Sequence, residues 1–265
     1  MNIKQYPPVI NSISVYELVR QVKMFDPLPG NCWIGLHDEP ENALEKYILD
    51  SYDMYFKDMF PNVTGFEWWF HYIKKCDRMI AFHSDHDEMV RRENEGEMIY
   101  PLLSTVTYLN NHKSPTIVWD TSTGNNQKEY RNIPPTEVVF SIPEEGRILT
   151  FNPRYIHGVL PQSEDRITLM YNIWDYRPKG LNRIDQRTLR RTMSSQFFAE
   201  QEPIDAVKWL GETCDKTVTL FGPDWKRLVT FKHPLNATNY GDFWSVIPVA
   251  DTHLRAHETM SHRVC

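Results

Sequence analysis

A period-two alternation of apolar and polar residues recurs between residues 65 and 174 and predicts strands in this part of the chain. Residues 166–174, RITLMYNIW, show it most clearly. When this segment is extended, one face carries Arg166, Thr168 and Met170. The opposite face carries Ile167, Leu169, Tyr171 and Ile173. The segment is therefore predicted to be a strand whose two faces differ in chemistry.

Two amphipathic helices are predicted ahead of these strands. The first follows Ser12 or Ser14, either of which suits a helix N-cap, and its apolar residues recur at helical spacing from Val15 onward. The second is expected to begin near residues 38–40 and to end before Pro61. We interpret both helices as a buttress for one sheet and assign them no chemistry.

About eight short segments with turn signals between them are typical of a double-stranded β-helix, the jelly roll that cupins share. The predicted fold is mainly β with flanking helices. We expect residues 1–64 to form a helical buttress, residues 65–178 the jelly-roll core, and residues 179–265 a C-terminal extension packed on the core. The three parts are expected to form a single domain, because 265 residues with 41% hydrophobic content are enough for one sizeable core.

The composition restricts the classes of partner. The formal net charge is −6 at pH 7, which gives no general attraction for phosphate backbones. The basic cluster at residues 183–191 is interpreted as a solvated helix face, so no nucleic-acid partner is expected. No run of about eighteen apolar residues occurs, and no membrane span is expected. The four cysteines lack paired spacing and are interpreted as free thiols of a cytoplasmic protein.

Residues 78–88, RMIAFHSDHDE, combine an apolar run with several metal-ligating side chains. If residues 79–85 are extended, His83 and Asp85 lie on one face, close enough to share a metal ion. His157 supplies a third ligand. Two histidines and one carboxylate form the facial triad of non-haem Fe(II) oxygenases, which leaves coordination positions open.

The same stretch contains an alternative pair, since His86 and Glu88 have the same spacing as His83 and Asp85. The first pair along the chain is preferred because it lies nearer the apolar strand that would hold it rigidly. On this interpretation His86, Asp87 and Glu88 lie at the rim, where they orient ligands without touching the metal.

Arg166 comes nine residues after His157, at the start of the strand-like segment. Arginine stays protonated and can grip a carboxylate with two parallel hydrogen bonds. A fixed guanidinium beside an iron site therefore suits a dicarboxylate cosubstrate. Thr168 lies on the same face as Arg166, and it either adds a hydroxyl donor or is an ordinary β-branched strand residue.

An ordered set of motifs spanning residues 78–174 resembles the 2-oxoglutarate- and Fe(II)-dependent dioxygenase superfamily. The set comprises His83-x-Asp85, residues 102–110 (LLSTVTYLN), residues 115–120 (PTIVWD), residues 146–159 (GRILTFNPRYIHGV) and Arg166. This resemblance implies that His83, Asp85 and His157 hold Fe(II) and that Arg166 binds the far carboxylate of 2-oxoglutarate. Tyr108 stands where prolyl-hydroxylase-like members carry a tyrosine that bonds the same carboxylate, or else it is a core tyrosine.

The resemblance implies an enzyme that uses O2 and 2-oxoglutarate to hydroxylate or desaturate an organic substrate, with release of succinate and CO2. A small metabolite or amino-acid-like compound is the expected substrate. The carboxylate of Asp85 occupies the coordination position that a halide would need, so halogenation is disfavoured. Two alternatives remain open: a metal-dependent cupin-type oxygenase that does not use 2-oxoglutarate, and a non-catalytic jelly-roll binding protein.

Other residues carry weaker expectations. The four tryptophans Trp68, Trp69, Trp119 and Trp174 are candidates for the pocket wall, but large aromatic residues more often pack in a core, and at most one or two of them are expected to contact substrate. His71 and His112 are interpreted as structural or surface histidines. Residues 86–98 are highly charged and are expected to form a mobile loop, while residues 119–135 form either a long hairpin or a lid.

Overall fold

The computed structural model describes most of the first 184 residues and two later strands. The described residues are 3–9, 12–26, 28, 30–74, 80–93, 98–122, 137–159, 164–184, 215–221 and 227–234. The segment 123–136, with most of the predicted hairpin or lid, lies outside them, as does nearly all of the basic cluster at residues 183–191.

The described elements are three helices and twelve strands. The helices are α1 (Val15–Phe25), α2 (Ala43–Tyr55) and α3 (Glu88–Glu93). The strands are β1 (Lys4–Tyr6), β2 (Cys32–Gly35), β3 (Gly65–Ile73), β4 (Ile80–His83), β5 (Leu103–Tyr108), β6 (Thr116–Ser122), β7 (Glu137–Ser141), β8 (Ile148–Phe151), β9 (Tyr155–Val159), β10 (Arg166–Trp174), β11 (Asp215–Phe221) and β12 (Arg227–Pro234). Among the described residues, no helix is long and apolar enough to cross a membrane.

The strands form two six-stranded sheets within the described part of the chain. The first sheet has the order β1-β8-β5-β10-β3-β2, and the second has the order β12-β11-β7-β6-β9-β4. Pairing is antiparallel throughout except between β7 and β11, which run parallel. Apolar side chains of both sheets, among them Val106 and Met170 from the first and Val118 and Val139 from the second, pack into one cluster between them. The fold is therefore the predicted jelly roll.

Strand β10 lies inside the first sheet and pairs with β3 along its whole length. Its second neighbour is β5. The predicted separation of its faces is confirmed. Ile167, Leu169, Tyr171 and Ile173 are buried in the apolar cluster that includes α1 and α2, whereas Arg166, Thr168 and Met170 alternate with them and face the second sheet.

The two helices cover the outer face of the first sheet, as predicted. Helix α1 begins after Ser14, whose side chain accepts a hydrogen bond from the Glu17 amide. The start predicted for the second helix is wrong. Helix α2 begins at Ala43, because Asn42 caps it by accepting from the Glu45 amide at 2.9 Å.

Four further differences from the sequence predictions concern short elements. Strands β1 and β2 lie in the segment predicted to be helical, and both join the first sheet. Strand β4 ends at His83, so Asp85 lies beyond the strand. The loop predicted for residues 86–98 contains helix α3. This helix forms because a carboxylate oxygen of Asp87 accepts hydrogen bonds from the Met89 and Val90 amides at its N-terminus.

Candidate metal centre and active site

Two neighbouring strands of the second sheet bring His83 and His157 together. Strand β9 pairs with β4 on one side and with β6 on the other. In the pairing with β4, His83 and His157 are direct cross-strand partners, and their ring centroids lie 4.4 Å apart. Residues more than seventy positions apart in the chain are thus placed side by side by strand pairing alone.

Asp85 is held in place by two hydrogen bonds although it lies beyond the end of β4. Its backbone amide donates to the Pro153 carbonyl at 3.1 Å. Its carboxylate Oδ2 accepts a hydrogen bond of 2.6 Å from the Ser104 hydroxyl of β5, in the opposite sheet. The other oxygen, Oδ1, lies 3.7 Å from Nε2 of His83 and 3.7 Å from Nε2 of His157. One oxygen is therefore fixed by Ser104, and the other faces both imidazoles.

These three side chains fit a metal ion. One ligand atom from each of them lies within 4.8 Å of the others. Two donors that bind one transition-metal ion at right angles, about 2.1 Å from it, lie about 3 Å apart. Small side-chain rotations therefore suffice to bring the donors at 3.7 Å onto one ion. Two imidazoles and one carboxylate are also the donor set of the facial triad.

His157 has the protonation state that a metal ligand needs. Its Nδ1 lies 3.1 Å from the Tyr155 carbonyl. A carbonyl oxygen can only accept, so Nδ1 carries a proton and donates it, which leaves the lone pair on Nε2. Burial lowers the pKa of His157 to about 4, against the opposing effect of Asp85. The ring is therefore neutral at pH 7.

In the alternative pair, His86 contacts Glu88 and the Ser84 carbonyl. His86 Nδ1 donates to the Ser84 carbonyl at 3.0 Å, and its Nε2 lies 3.1 Å from the Glu88 carboxylate. Asp87, besides capping α3, accepts a hydrogen bond of 2.7 Å from the Tyr176 hydroxyl. Among the described residues, the set of side chains spaced to hold one ion consists of His83, Asp85 and His157.

Arg166 is a buried cation that lines the same pocket. Only 1% of the residue is exposed. Its Nη2 donates to the Thr116 hydroxyl at 2.8 Å, and its Nε has no hydrogen-bond partner among the described residues. No described carboxylate forms an ion pair with it. Burial lowers the pKa of Arg166 to about 10, so the group remains charged at pH 7. A buried charge without a counter-ion is costly, which indicates that an anion belongs beside it.

Tyr108 and Thr168 lie next to Arg166 but differ in whether their hydroxyls have hydrogen-bond partners. The Tyr108 hydroxyl lies 2.9 Å from Thr116 Oγ1 and 2.8 Å from Ser141 Oγ. Tyr108 thus shares with Arg166 the hydroxyl of Thr116, and its ring lies 5.7 Å from the guanidinium carbon. Thr168 is fully buried, and its hydroxyl has no described partner.

The predicted triad and arginine line one pocket between the sheets. Its lining comprises Trp69, His71, Ile80, His83, Asp85, Thr105, Val106, Thr116, Phe151, His157, Gly158, Val159, Arg166 and Met170. Of the four tryptophans predicted as candidates for the wall, Trp69 lies there. Trp68 packs in the helix-facing apolar cluster, and Trp174 donates to the Glu67 carboxylate at 3.1 Å. Trp119 is fully buried and does not reach the pocket.

Two residues of this region were not predicted from the sequence. His71 was interpreted as structural or surface, yet it lies in the pocket wall. The alternation of β3 provides a signal, because Glu67, Trp69 and His71 share one face of an extended strand. Ser104, which holds Asp85, has no comparable signal in the sequence. His112 has a structural role, since its Nδ1 accepts from the Ser114 amide at 2.9 Å.

Comparison with known proteins found similar structures but no similar sequences. Neither a protein-family model nor a curated protein matches the chain. A Pseudomonas putida prolyl-4-hydroxylase matches over 65% of this chain and 85% of its own, with 16% identity and a TM-score of 0.44. HygX from Streptomyces hygroscopicus, solved with nickel and 2-oxoglutarate bound, matches over 69% of this chain and 91% of its own, with 12% identity and a TM-score of 0.44.

A third similar structure is a prolyl hydroxylase from Trichoplax adhaerens, in complex with a peptide fragment of the hypoxia inducible factor oxygen degradation domain. It matches over 73% of this chain and 87% of its own, with 15% identity and a TM-score of 0.42.

The structure of the chain itself agrees with the resemblance seen in its sequence. The strands form a jelly roll, and His83, Asp85 and His157 lie close together in the pocket between the sheets, which Arg166 also lines. In its fold and in its His-x-Asp…His arrangement, the chain resembles the 2-oxoglutarate- and Fe(II)-dependent dioxygenase superfamily.

Proposed function

We propose that the protein is a 2-oxoglutarate- and Fe(II)-dependent oxygenase that hydroxylates or desaturates a small metabolite or amino-acid-like compound. In the same reaction 2-oxoglutarate would be converted to succinate and CO2. One observation carries the proposal. A buried Arg166 without a carboxylate partner among the described residues lines the same pocket as three side chains spaced to hold one ion.

His83, Asp85 and His157 would hold the Fe(II). When bound, the metal supplies the activation of O2 that oxidises the substrate, while the protein supplies binding and orientation. Ser104 leaves one Asp85 oxygen available, because it bonds the other at 2.6 Å. The Tyr155 carbonyl fixes the His157 ring through its 3.1 Å contact with Nδ1. Both contacts orient the ligands, which is the usual role of groups just behind a metal site.

Arg166 would bind the far carboxylate of 2-oxoglutarate. Thr116 positions the guanidinium by accepting from Nη2, and Tyr108 in turn contacts the same Thr116 hydroxyl. The ring of Phe151 lies 4.5 Å from that of His157 and, with Val106 and Met170, makes part of the pocket wall apolar. An apolar wall strengthens the attraction between a guanidinium and a carboxylate, because it keeps water away from them.

The proposal includes two further expectations. No nucleic acid is expected as a partner, since the net charge is −6. A cytoplasmic location is expected because the four cysteines lack paired spacing, and the described Cys32 is a buried free thiol.

The experiment that tests the proposed function measures succinate formed from 2-oxoglutarate in air, with and without added Fe(II), in the presence of metabolite and amino-acid pools. We expect Fe(II)-dependent succinate together with a product that gains one oxygen or loses two hydrogens. Asp85→Ala should abolish both. Metal-dependent oxidation without succinate would indicate an oxygenase that does not use 2-oxoglutarate, and metal binding without any turnover would indicate a binding protein.

A further inference from the structure

His71 occupies a position in the pocket that the proposed function does not yet use. In the antiparallel pairing of β3 with β10, His71 is the direct partner of Thr168, and Arg166 is the partner of Ile73 two positions further along β3. Thr168 is in turn aligned with Tyr108 of β5. His71, Thr168 and Tyr108 therefore form one row across three strands, directly beside Arg166, and His71 lines the pocket.

Three buried polar atoms of this row and of the adjacent Arg166 lack hydrogen-bond partners among the described residues. They are Nδ1 of His71, Oγ1 of Thr168 and Nε of Arg166. A buried polar atom without a partner costs about 1–3 kcal/mol, and buried polar groups in native proteins are normally satisfied. Three such atoms on adjacent positions of two paired strands indicate that a bound molecule supplies the missing partners.

The neighbouring hydroxyls cannot be those partners, because they are already engaged. Thr116 Oγ1 accepts from Arg166 Nη2 and contacts the Tyr108 hydroxyl. Tyr108 also contacts Ser141, whose Oγ accepts from Gln5 Nε2 at 2.7 Å. On this side of Arg166 the hydroxyls of Thr116, Tyr108 and Ser141 are therefore hydrogen-bonded within the protein. A ligand would bind on the side toward His71 and Thr168.

We propose that His71 donates a hydrogen bond to the dicarboxylate cosubstrate beside Arg166 and Thr168, and that it thereby helps to determine which acid the pocket accepts. This inference rests on the proposed function. It adds His71 of β3 to Arg166 and Thr168 of β10 as residues that bind the cosubstrate.

The chemistry of an imidazole at this position suits the role. Burial, together with the positive charge of Arg166, lowers the pKa of His71 to about 3, so the ring is neutral at pH 7. A neutral imidazole carries one N–H donor. It can add a hydrogen bond to a bound acid without placing a second buried charge next to the guanidinium.

The test measures 2-oxoglutarate affinity by calorimetry in protein loaded with Ni(II), which replaces Fe(II) without turnover. His71→Phe keeps an aromatic ring and removes both nitrogens, whereas His71→Gln keeps a donor. We expect 2-oxoglutarate to bind about tenfold more weakly to His71→Phe than to wild type and to be partly restored in His71→Gln. His37→Gln, the same change at an exposed histidine, serves as the matched control and should bind as wild type.

Thermal unfolding of the metal-free variants separates this role from a structural one. Nδ1 of His71 has no hydrogen-bond partner among the described residues that the substitution could remove. His71→Phe should therefore be at least as stable as wild type. Unchanged 2-oxoglutarate affinity in His71→Phe would overturn the proposal, and so would loss of folding or Ni(II) binding in both His71 variants. Wild-type protein that takes up no 2-oxoglutarate would overturn the proposed function itself, which is a different result.

Discussion

The two faces of β10 differ in whether their buried polar atoms have hydrogen-bond partners. On the face toward α1 and α2 the one polar atom, the Tyr171 hydroxyl, lies 2.7 Å from the Ser51 hydroxyl and is satisfied. On the face toward the second sheet, Arg166 Nε, Thr168 Oγ1 and Asn172 Oδ1 are buried without described partners. Both faces belong to the same strand, so the difference does not come from the backbone. The polar atom of the outer face has its partner in the folded chain, whereas we propose that a ligand supplies partners on the inner face.

The comparison leads to a simple expectation for mutations. Changes on the outer face should reduce stability and leave binding unchanged. Changes around the pocket should reduce binding and have little effect on the stability of the ligand-free protein.

The largest effect is expected from the proposed metal ligands. His157→Ala removes a donor, and because loss of an orienting residue alone typically costs 10- to 100-fold in metal affinity, we expect more than about a hundredfold loss here. Equilibrium dialysis with Ni(II) measures it. Glu88→Ala is the matched control and should bind Ni(II) as wild type does. The reverse pattern would move the site to His86 and Glu88.

The next effect is expected on the outer face. Leu169 is fully buried among the helix-facing side chains. Leu169→Ala should lower the free energy of unfolding by about 2–5 kcal/mol, measured by urea titration, because it removes buried apolar surface and leaves a cavity. Its affinities for Ni(II) and 2-oxoglutarate should equal those of wild type at temperatures where it stays folded. A weakened affinity with unchanged stability would contradict the separation of the two faces.

A smaller effect is expected for Ser104→Ala. The change leaves Asp85 Oδ2 without its 2.6 Å hydrogen bond, so the carboxylate is free to rotate away from the two imidazoles. We expect Ni(II) affinity to fall about tenfold. Ser104→Thr keeps the hydroxyl and should recover part of the loss. Equal Ni(II) affinity in Ser104→Ala and wild type would show that Asp85 needs no support from the opposite sheet.

The smallest effect concerns pH. The pKa of His71 lies at about 3 in the folded protein, below the ordinary 6.5, so between these values the unfolded chain binds a proton that the folded protein does not. The stability of the metal-free protein should therefore fall as pH falls. For His71 the loss is about 1 kcal/mol between pH 7 and pH 5.5. Urea titrations at both values should show a smaller loss in His71→Phe, and an identical loss would place the titrating group elsewhere.

Elements such as β10 and α1, which have a periodic pattern or a helix cap within one short segment, were predicted from the sequence. The alternation in residues 166–174 predicted both faces of β10, and of the two candidate caps, Ser12 and Ser14, the second precedes the start of α1. Strands β1 and β2 have three and four residues, too few for a period to be visible. Helix α3 was missed because its charged sequence is typical of a loop, although Asp87 caps it.

The pocket was predicted in the parts that carry distinctive side chains. The structure brings His83, Asp85 and His157 together and places Arg166 in the same pocket. Ser104 reaches the site through packing between distant segments, which no local pattern encodes. For His71 the alternation of β3 indicates the face that it shares with Trp69. The position of His71 opposite Thr168 follows only from the register between β3 and β10.

The central claim, that the inner face of β10 is built for a dicarboxylate beside a metal, is tested most directly by comparing 2-oxoglutarate with pyruvate. Both are 2-keto acids, but pyruvate lacks the far carboxylate that Arg166 would bind. Calorimetric titration of the Ni(II)-loaded wild type should show 2-oxoglutarate binding at least about tenfold more tightly. Arg166→Ala should remove most of this difference, and Arg166→Lys should keep part of it. Equal affinities in wild type, or an undiminished preference in Arg166→Ala, would contradict the claim.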